Sequence, residues 1–401
     1  MVFGDGRKRS DLSVDFATVN SYPRIIGYKG SCPFQLPQRG TVDRINATDL
    51  EEWAKLVVAR HELPRLLSRL IWASFPRDVS RLDMPGGELS ELSGFDGIVE
   101  CSTGDDLVPQ GQSVWEVSTR RDISKKAEED YTKRTANPGA VEQEQTTFVF
   151  ATPRRWVSAE TWATAKRTLN GWKGVRVLWS EHLEKWLLRV PWIAAEYSDE
   201  IAKRPIDGIQ SLQMVWEEYH YVGSRLRMPP EFLIANRTTT STAFQYWVRN
   251  GGTDGDRVLR ISGQSEMEVL HFVAASVRSL PAEERDRLTT RILHVTNLGV
   301  ASRLGNLRPE HILIGRAGEL TPHIQKLAER WTCRAVIIHK SAERGAPEPG
   351  PGLSHLRLDP IASHLLVASL MQFAYPKEEA ERICHNNNFD YEQIRRNVLL
   401  A

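Results

Sequence analysis

Apolar and polar positions change period several times along the chain. After Asn46-Ala-Thr-Asp-Leu-Glu-Glu, which offers a cap and first-turn acids, Trp53, Leu56, Val57 and Ile71 recur at broadly helical spacing. Pro64 is expected to divide this stretch into two helices or to kink one. Three strands should follow: a weak one at Arg81-Leu-Asp-Met-Pro, a better one at Phe95-Asp-Gly-Ile-Val-Glu-Cys and a stronger one at Ser113-Val-Trp-Glu-Val-Ser-Thr. Turn residues between them predict a meander. Asp122 is placed to cap a helix through about residue 134, in which Ile123, Ala127 and Tyr131 form one apolar stripe beside a charged face. Thr146-Thr-Phe-Val-Phe-Ala-Thr reads as a buried strand, 158–169 as a helix, Val175-Arg-Val-Leu-Trp as a strand and 182–188 as a short helix. The predicted order is α, β, β, β, α, β, then αβα.

A second α/β unit is expected beyond a helical stretch and a Met228-Pro-Pro break. Phe232-Leu-Ile-Ala, Val258-Leu-Arg-Ile, Ile292-Leu-His-Val, His311-Ile-Leu-Ile and Arg334-Ala-Val-Ile-Ile read as short strands, separated mostly by helical patterns such as 266–276 and 322–331. Such alternation predicts a parallel sheet. Gly345-Ala-Pro-Glu-Pro-Gly-Pro-Gly reads as a loop, and the last fifty residues as helices. The fold class is therefore α/β. The boundaries read as an irregular arm over 1–45, a first domain over 46–198, a helical linker over 199–229 and a second α/β domain over 230–401.

Composition narrows the class of function. A chain of 401 residues is long for one core, and 41% hydrophobic with 26% charged residues is the balance of a globular protein. Fifty-two Lys and Arg against 51 Asp and Glu leave a net charge of +1, so any nucleic-acid surface must be local. No apolar run approaches the roughly 18 residues of a membrane span, and Met1-Val-Phe-Gly-Asp-Gly-Arg-Lys lacks an apolar leader core. A cytoplasmic protein without a membrane partner is expected. The four cysteines lie far apart and no histidine pair has ligand spacing, which argues against structural zinc. Seven of the twelve tryptophans fall between Trp115 and Trp192, as in a compact first domain.

Candidate chemistry gathers in that domain. Asp96 and Glu116 lie on neighbouring predicted strands, and two close carboxylates repel one another unless a cation lies between them. A hard divalent ion prefers such oxygens together with water and phosphate. An isolated Asp or Glu more often belongs to a turn or to the solvent face of a strand. Here the αβββαβ order around the pair argues for a site.

Gly94-Phe-Asp-Gly, Gly111-Gln-Ser-Val-Trp-Glu-Val-Ser-Thr, Lys126-Ala-Glu-Glu-Asp-Tyr-Thr-Lys-Arg-Thr and Thr146-Thr-Phe-Val-Phe-Ala-Thr-Pro-Arg-Arg-Trp resemble the restriction-endonuclease-like fold, the PD-(D/E)XK nucleases. Within that fold they are most similar to the nuclease-type N-terminal domains of bacterial antiphage defence proteins. The resemblance covers roughly 46–198. It implies an Mg²⁺-dependent DNA endonuclease, with Mn²⁺ as a substitute ion, in which Asp96 and Glu116 are metal ligands. Glu62 is implied as a helix-borne third ligand, with Glu51 and Glu52 competing for that place. The family lysine belongs at position 118, where this chain has Ser118, and a hydroxyl supplies no positive charge. Lys126 on the following helix is the expected replacement, with Lys125 next. The alternative is an inactive nuclease fold that binds DNA or signals, and a third reading is an adaptor without DNA affinity.

Local charge points to DNA as partner. Between Arg154 and Arg189 eight basic residues face three acids, an excess of five, and Arg154-Arg155-Trp156 follows a strand where two guanidiniums are placed to meet phosphates. Lys133 and Arg134 are further DNA-binding candidates. In the second domain Ile261-Ser-Gly-Gln-Ser-Glu-Met-Glu-Val-Leu-His-Phe-Val-Ala-Ala, Glu378-Glu-Ala-Glu-Arg-Ile-Cys and Ile394-Arg-Arg are similar to ATPase-related modules of the STAND type. The phosphate-binding G-x-x-x-x-G-K-[S/T] is absent, so a degenerate domain without a nucleotide cofactor is expected. Thr238-Thr-Thr-Ser-Thr reads as a polar helix cap. A homo-oligomer, and a further domain or partner beyond residue 401, are left open.

Overall fold

The computed structural model describes residues 44–85, 94–204, 206–222, 226–227, 229–251, 257–301, 304, 307–341, 355–372 and 375–400. Most of the expected arm, Met228 of the Met-Pro-Pro break and the Gly/Pro loop at 345–352 lie outside them. Residues 42–401 form one compact unit. It is a mixed α/β structure, about half helix, with two mixed sheets.

The first half opens with α1 (Ala47–Trp53) and α2 (Val57–Ser74). Asn46 caps α1 as expected: its side chain accepts from the Asp49 N–H, and the Asp49 carboxylate accepts from the Asn46 N–H. The helices divide earlier than Pro64, at 54–56, and α2 runs on through that proline. Leu63, Leu66, Leu67 and Leu70 are fully buried around it, and that burial outweighs the roughly 3 kcal/mol an interior proline costs.

The predicted meander is present as β1 (Val79–Asp83), β2 (Gly97–Cys101) and β3 (Gly111–Val117), antiparallel neighbours in that order. Helix α3 (Ile123–Ala136) then crosses to β4 (Thr147–Ala151), and α4 (Ala159–Arg167) crosses to β5 (Gly174–Leu178), both strands parallel to β3. Asp122 stands at the cap of α3, but its carboxylate binds Arg120 and makes no cap hydrogen bond. Alternation sorts the two faces of this sheet. Val114, Phe148 and Phe150 pack with Ile123, Ala127 and Tyr131 of α3, whereas Trp115, Val149 and Ala151 join the core under α2. Helices α5 (Ser180–Arg189) and α6 (Pro191–Ala202) close this half.

The second half begins with β6 (Ile209–Ser211), α7 (Leu212–His220), the small hairpin β7 (Tyr221–Val222) and β8 (Leu226–Arg227), α8 (Glu231–Ile234) and α9 (Thr238–Asn250). It continues through β9 (Val258–Gly263), α10 (Glu266–Arg278), α11 (Ala282–Thr289), β10 (Ile292–Val295), α12 (Leu298–Ala301), β11 (Ile312–Arg316), α13 (Leu320–Arg330), β12 (Arg334–Lys340) and β13 (His355–Arg357). Three helices follow: α14 (Ser363–Gln372), α15 (Lys377–Asn386) and α16 (Tyr391–Leu400). The sheet order is β13-β9-β12-β11-β10-β6, parallel except for β6. Phe232-Leu-Ile-Ala, expected as a strand, is helical in α8 because Pro229 and Pro230 start a turn whose carbonyls take the Phe232 and Leu233 N–H groups. Two strands of this sheet were not expected: β6, from the segment read as a linker, and β13, from the closing stretch read as helices.

One buried apolar cluster joins both halves, running from Trp53, Leu63 and Trp192 to Leu293, Leu313 and Ile337. Polar bonds cross the same boundary. Trp192 Nε1 donates to the Thr290 carbonyl at 2.9 Å, Arg69 donates to Thr289 Oγ1 at 3.2 Å, and Ser211 Oγ of β6 donates to Glu196 of α6 at 2.7 Å. Among the described residues, no helix is long and apolar enough to cross a membrane.

Candidate active site

The β2–β3 ladder places the two predicted acids. Gly97 pairs with Trp115, so Asp96, one residue before β2, falls opposite Glu116, and facing residues of an antiparallel pair point to the same side. Asp96 Oδ2 accepts from the Val117 N–H at 2.7 Å. Burial raises the Asp96 carboxyl above its ordinary range, against that hydrogen bond, with the Asp130 charge adding to the rise. Glu116 is buried and is pushed up to about 8, first by burial, next by the charge of Asp96, while Arg134 pulls the other way. The Arg134 guanidinium donates to Glu116 Oε1 and to the Gly94 carbonyl, and lies 5.0 Å from the centre of the Phe95 ring.

The other wall is α3. Lys126, Asp130 and Arg134 recur every fourth residue and so share a face. Lys126 Nζ donates to Asp130 Oδ1 at 2.5 Å, while Asp130 Oδ2 is buried without a hydrogen-bond partner. Lys125 points elsewhere: its side chain is 73% exposed and stands 3.9 Å from Glu129. Ser118 is buried just past β3, and its Oγ accepts from the Arg120 N–H at 3.2 Å. Asp96, Glu116, Ser118, Lys126, Lys133 and Arg134 thus line one cleft of about 770 Å³, completed by Asp130, Arg120 and residues of α2.

Several expectations need correction. Glu62 does not line the cleft and instead pairs with Arg65 at 2.8 Å. Arg60, Leu63 and Pro64 form the α2 wall, and a residue two places after Arg60 is turned by about 200° around a helix. The helix position that faces the cleft holds an arginine. Of the two competitors, Glu52 pairs with Lys55 at 2.5 Å, and neither Glu51 nor Glu52 lines the cleft.

Arg154 is a structural clasp. Its Nε donates to the Thr119 carbonyl and its Nη2 to the Ala54 carbonyl, each at 2.8 Å, which ties the β4–α4 loop to the end of α1. Arg155 is exposed but lies 3.2 Å from Glu181. Three distant acids reduce the local excess from five to two: Glu128 binds Lys166, and Asp105 and Asp106 bind Arg189. Arg134, expected to bind DNA, is committed to Glu116. Lys133 is exposed at the cleft. The residues that sequence reading missed are Asp130, Arg60 and Arg120. The four-residue spacing of Lys126, Asp130 and Arg134 was a signal for the first.

In the second half, the loop from β9 into α10 is closed by the chain itself. Glu268 Oε2 accepts from the Gln264 N–H at 2.7 Å, its Oε1 meets Arg237 at 2.5 Å, and both side chains are fully buried. A Cβ on Gly263 would stand 2.9 Å from that carboxylate. The Thr238-Thr-Thr-Ser-Thr run forms the first turn of α9, where Ser241 Oγ donates to Ser276 Oγ at 3.0 Å.

Among the described residues, no group of three or more His, Cys, Asp or Glu side chains is arranged to hold a metal ion. No protein-family model matches the chain, and no curated protein matches it.

Proposed function

We propose that the chain is a metal-dependent endonuclease of the restriction-endonuclease-like kind, hydrolysing DNA phosphodiesters in bacterial antiphage defence, with Asp96 and Glu116 as the Mg²⁺ ligands. The observation that carries this reading is the facing pair Asp96 and Glu116, set in a cleft whose opposite wall presents Lys126. The order α2-β1-β2-β3-α3-β4 supports it, since it is the αβββαβ arrangement that the resemblance implies. The donor set also suits a hard cation: burial raises both carboxyls and the Asp96 charge raises Glu116 further, a cost that a divalent ion between their oxygens would offset. Two protein ligands leave the remaining positions to water and phosphate, as is usual for this ion.

A bound Mg²⁺ would activate water and stabilise the charge that develops on the phosphate. The protein's own groups divide the rest. Asp96 is held by the Val117 N–H through one oxygen, which fixes the direction of the other. Lys126 supplies the cation that Ser118 lacks, from the helix instead of the strand. Lys133, exposed at the same cleft, suits a phosphate contact along a DNA backbone, whereas Arg120 is engaged by Asp122 and Glu129. The second half is assigned a sensing or oligomerisation role in the same cytoplasmic protein.

The test is incubation of plasmid DNA with the protein and Mg²⁺ or Mn²⁺, beside Glu116→Ala. Cleavage by the parent that the variant loses is the expected result, and equal cleavage by both would refute the assignment. A second reading, DNA binding without cutting, is favoured by the bond from Arg134 to Glu116, which occupies an oxygen the ion needs. It predicts retained plasmid binding with no cleavage under either metal.

A further inference from the structure

We propose that Asp130 is the positioning residue for Lys126, holding the ammonium group of the displaced lysine at the place in the cleft where the scissile phosphate and its attacking water meet. The inference rests on the nuclease reading above and adds to it a residue that the resemblance does not supply.

A lysine on a strand is aimed by the pleat and by its neighbours across the ladder. One on a helix carries four rotatable bonds and sweeps a wide volume, so moving the charge from position 118 to Lys126 creates a need for an anchor. Asp130 meets that need by place and by chemistry. It lies one turn along α3, and its Oδ1 accepts from Lys126 Nζ at 2.5 Å. Its side chain is 7% exposed against 28% for Lys126, so the fixed end of the pair is buried and the free end reaches the cleft. The second oxygen, Oδ2, is buried and has no hydrogen-bond partner. A carboxylate kept for stability alone would be expected to satisfy both oxygens, because a buried unpaired acceptor costs about 1–3 kcal/mol. The charge of the same carboxylate adds to the negative field at Asp96 and Glu116. One residue thereby aims the cation and strengthens the charge that calls for a metal.

The test is a double-mutant cycle on plasmid cleavage, with melting temperature followed beside it. Asp130→Asn keeps the shape and an acceptor oxygen but removes the charge. It should lower kcat by roughly ten- to a hundredfold, the loss expected when a catalytic group is misplaced by about 1 Å, and leave KM for DNA unchanged. In the Lys126→Ala background the same substitution should cost nothing further, because the group it positions is gone. A purely structural role would instead lower melting temperature and cost the same in both backgrounds. Should Asp130→Asn fail to fold, Asp130→Glu takes its place in the cycle with the same expectation. An additive loss accompanied by a raised metal requirement would overturn the proposal and make Asp130 a cation ligand in its own right. An unchanged kcat would overturn it while the nuclease reading stands. A parent protein that cleaves under neither metal defeats the reading itself, and this inference with it.

Discussion

Glu116 is an acid in surroundings that disfavour its charge. The unfolded chain releases this proton near 4.5 and the folded protein near about 8. Between those values the folded state holds a proton that the unfolded state has lost, so this contribution to stability is present at low pH and fades as pH rises through the window. Glu116→Gln removes the titration, and its stability relative to the parent should climb from about pH 5 to about pH 9 by on the order of 4 kcal/mol. Urea unfolding at the two ends of that range measures it, and a difference independent of pH would exclude the assignment. Lys126→Ala should slow cleavage by about a hundred- to a thousandfold and keep the fold, whereas Lys125→Ala should cut as the parent does, since Lys125 faces solvent beside Glu129. The facing of Asp96 and Glu116 was legible because strand pairing follows from alternation, whereas Lys126 was reached through the family resemblance alone. Asp130 and the bond from Arg134 to Glu116 were not legible, because the apolar stripe Ile123, Ala127 and Tyr131 set the reading of that helix and the charges beside it passed for a solvated face. Glu62 was misplaced for want of the same arithmetic applied to α2.

Among the elements, the β4–α4 loop shows how little a run of basic residues says by itself. Arg154→Ala should destabilise the protein by about 2 kcal/mol, since two charged hydrogen bonds to the Thr119 and Ala54 carbonyls are lost, and should leave the salt dependence of DNA binding unaltered. Lys133→Ala should do the reverse, with stability unchanged and a salt slope flatter by roughly one phosphate contact. Fluorescence anisotropy across a salt series, run beside thermal melts, separates the two, and a flattened slope for Arg154→Ala would restore that arginine to the DNA surface. Long alternating or helical segments were readable in advance: β3, β4, α3 and α10 stand where their apolar period put them. Short ones were not. A three-residue strand such as β6 carries no period, and four apolar residues after two prolines suit α8 as well as a strand.

At the scale of the whole molecule, the apolar cluster under α2 and α6 continues beneath the second sheet, so the two halves should unfold together. Trp192→Ala should cost about 3–5 kcal/mol and lower one calorimetric transition without splitting it, and two separate transitions in the parent would refute the coupling. Glu268→Ala should be comparably severe, at about 3–5 kcal/mol, because it strands the buried Arg237. Calorimetry with ATP and Mg²⁺ should give no saturable heat, because the chain's own carboxylate takes the Gln264 N–H where a phosphate would bind. A micromolar isotherm would show otherwise. The α/β class and the order of elements in the first half were visible in the sequence, but the joint between halves was not, because no local pattern marks which face of α6 meets a distant strand. That joint bears on how the protein can be cut up in the laboratory. A gene fragment ending near residue 198 would produce a polypeptide that shows Trp192 to water in place of Thr290 and His311, and its product should collect in inclusion bodies instead of yielding a free-standing minimal nuclease.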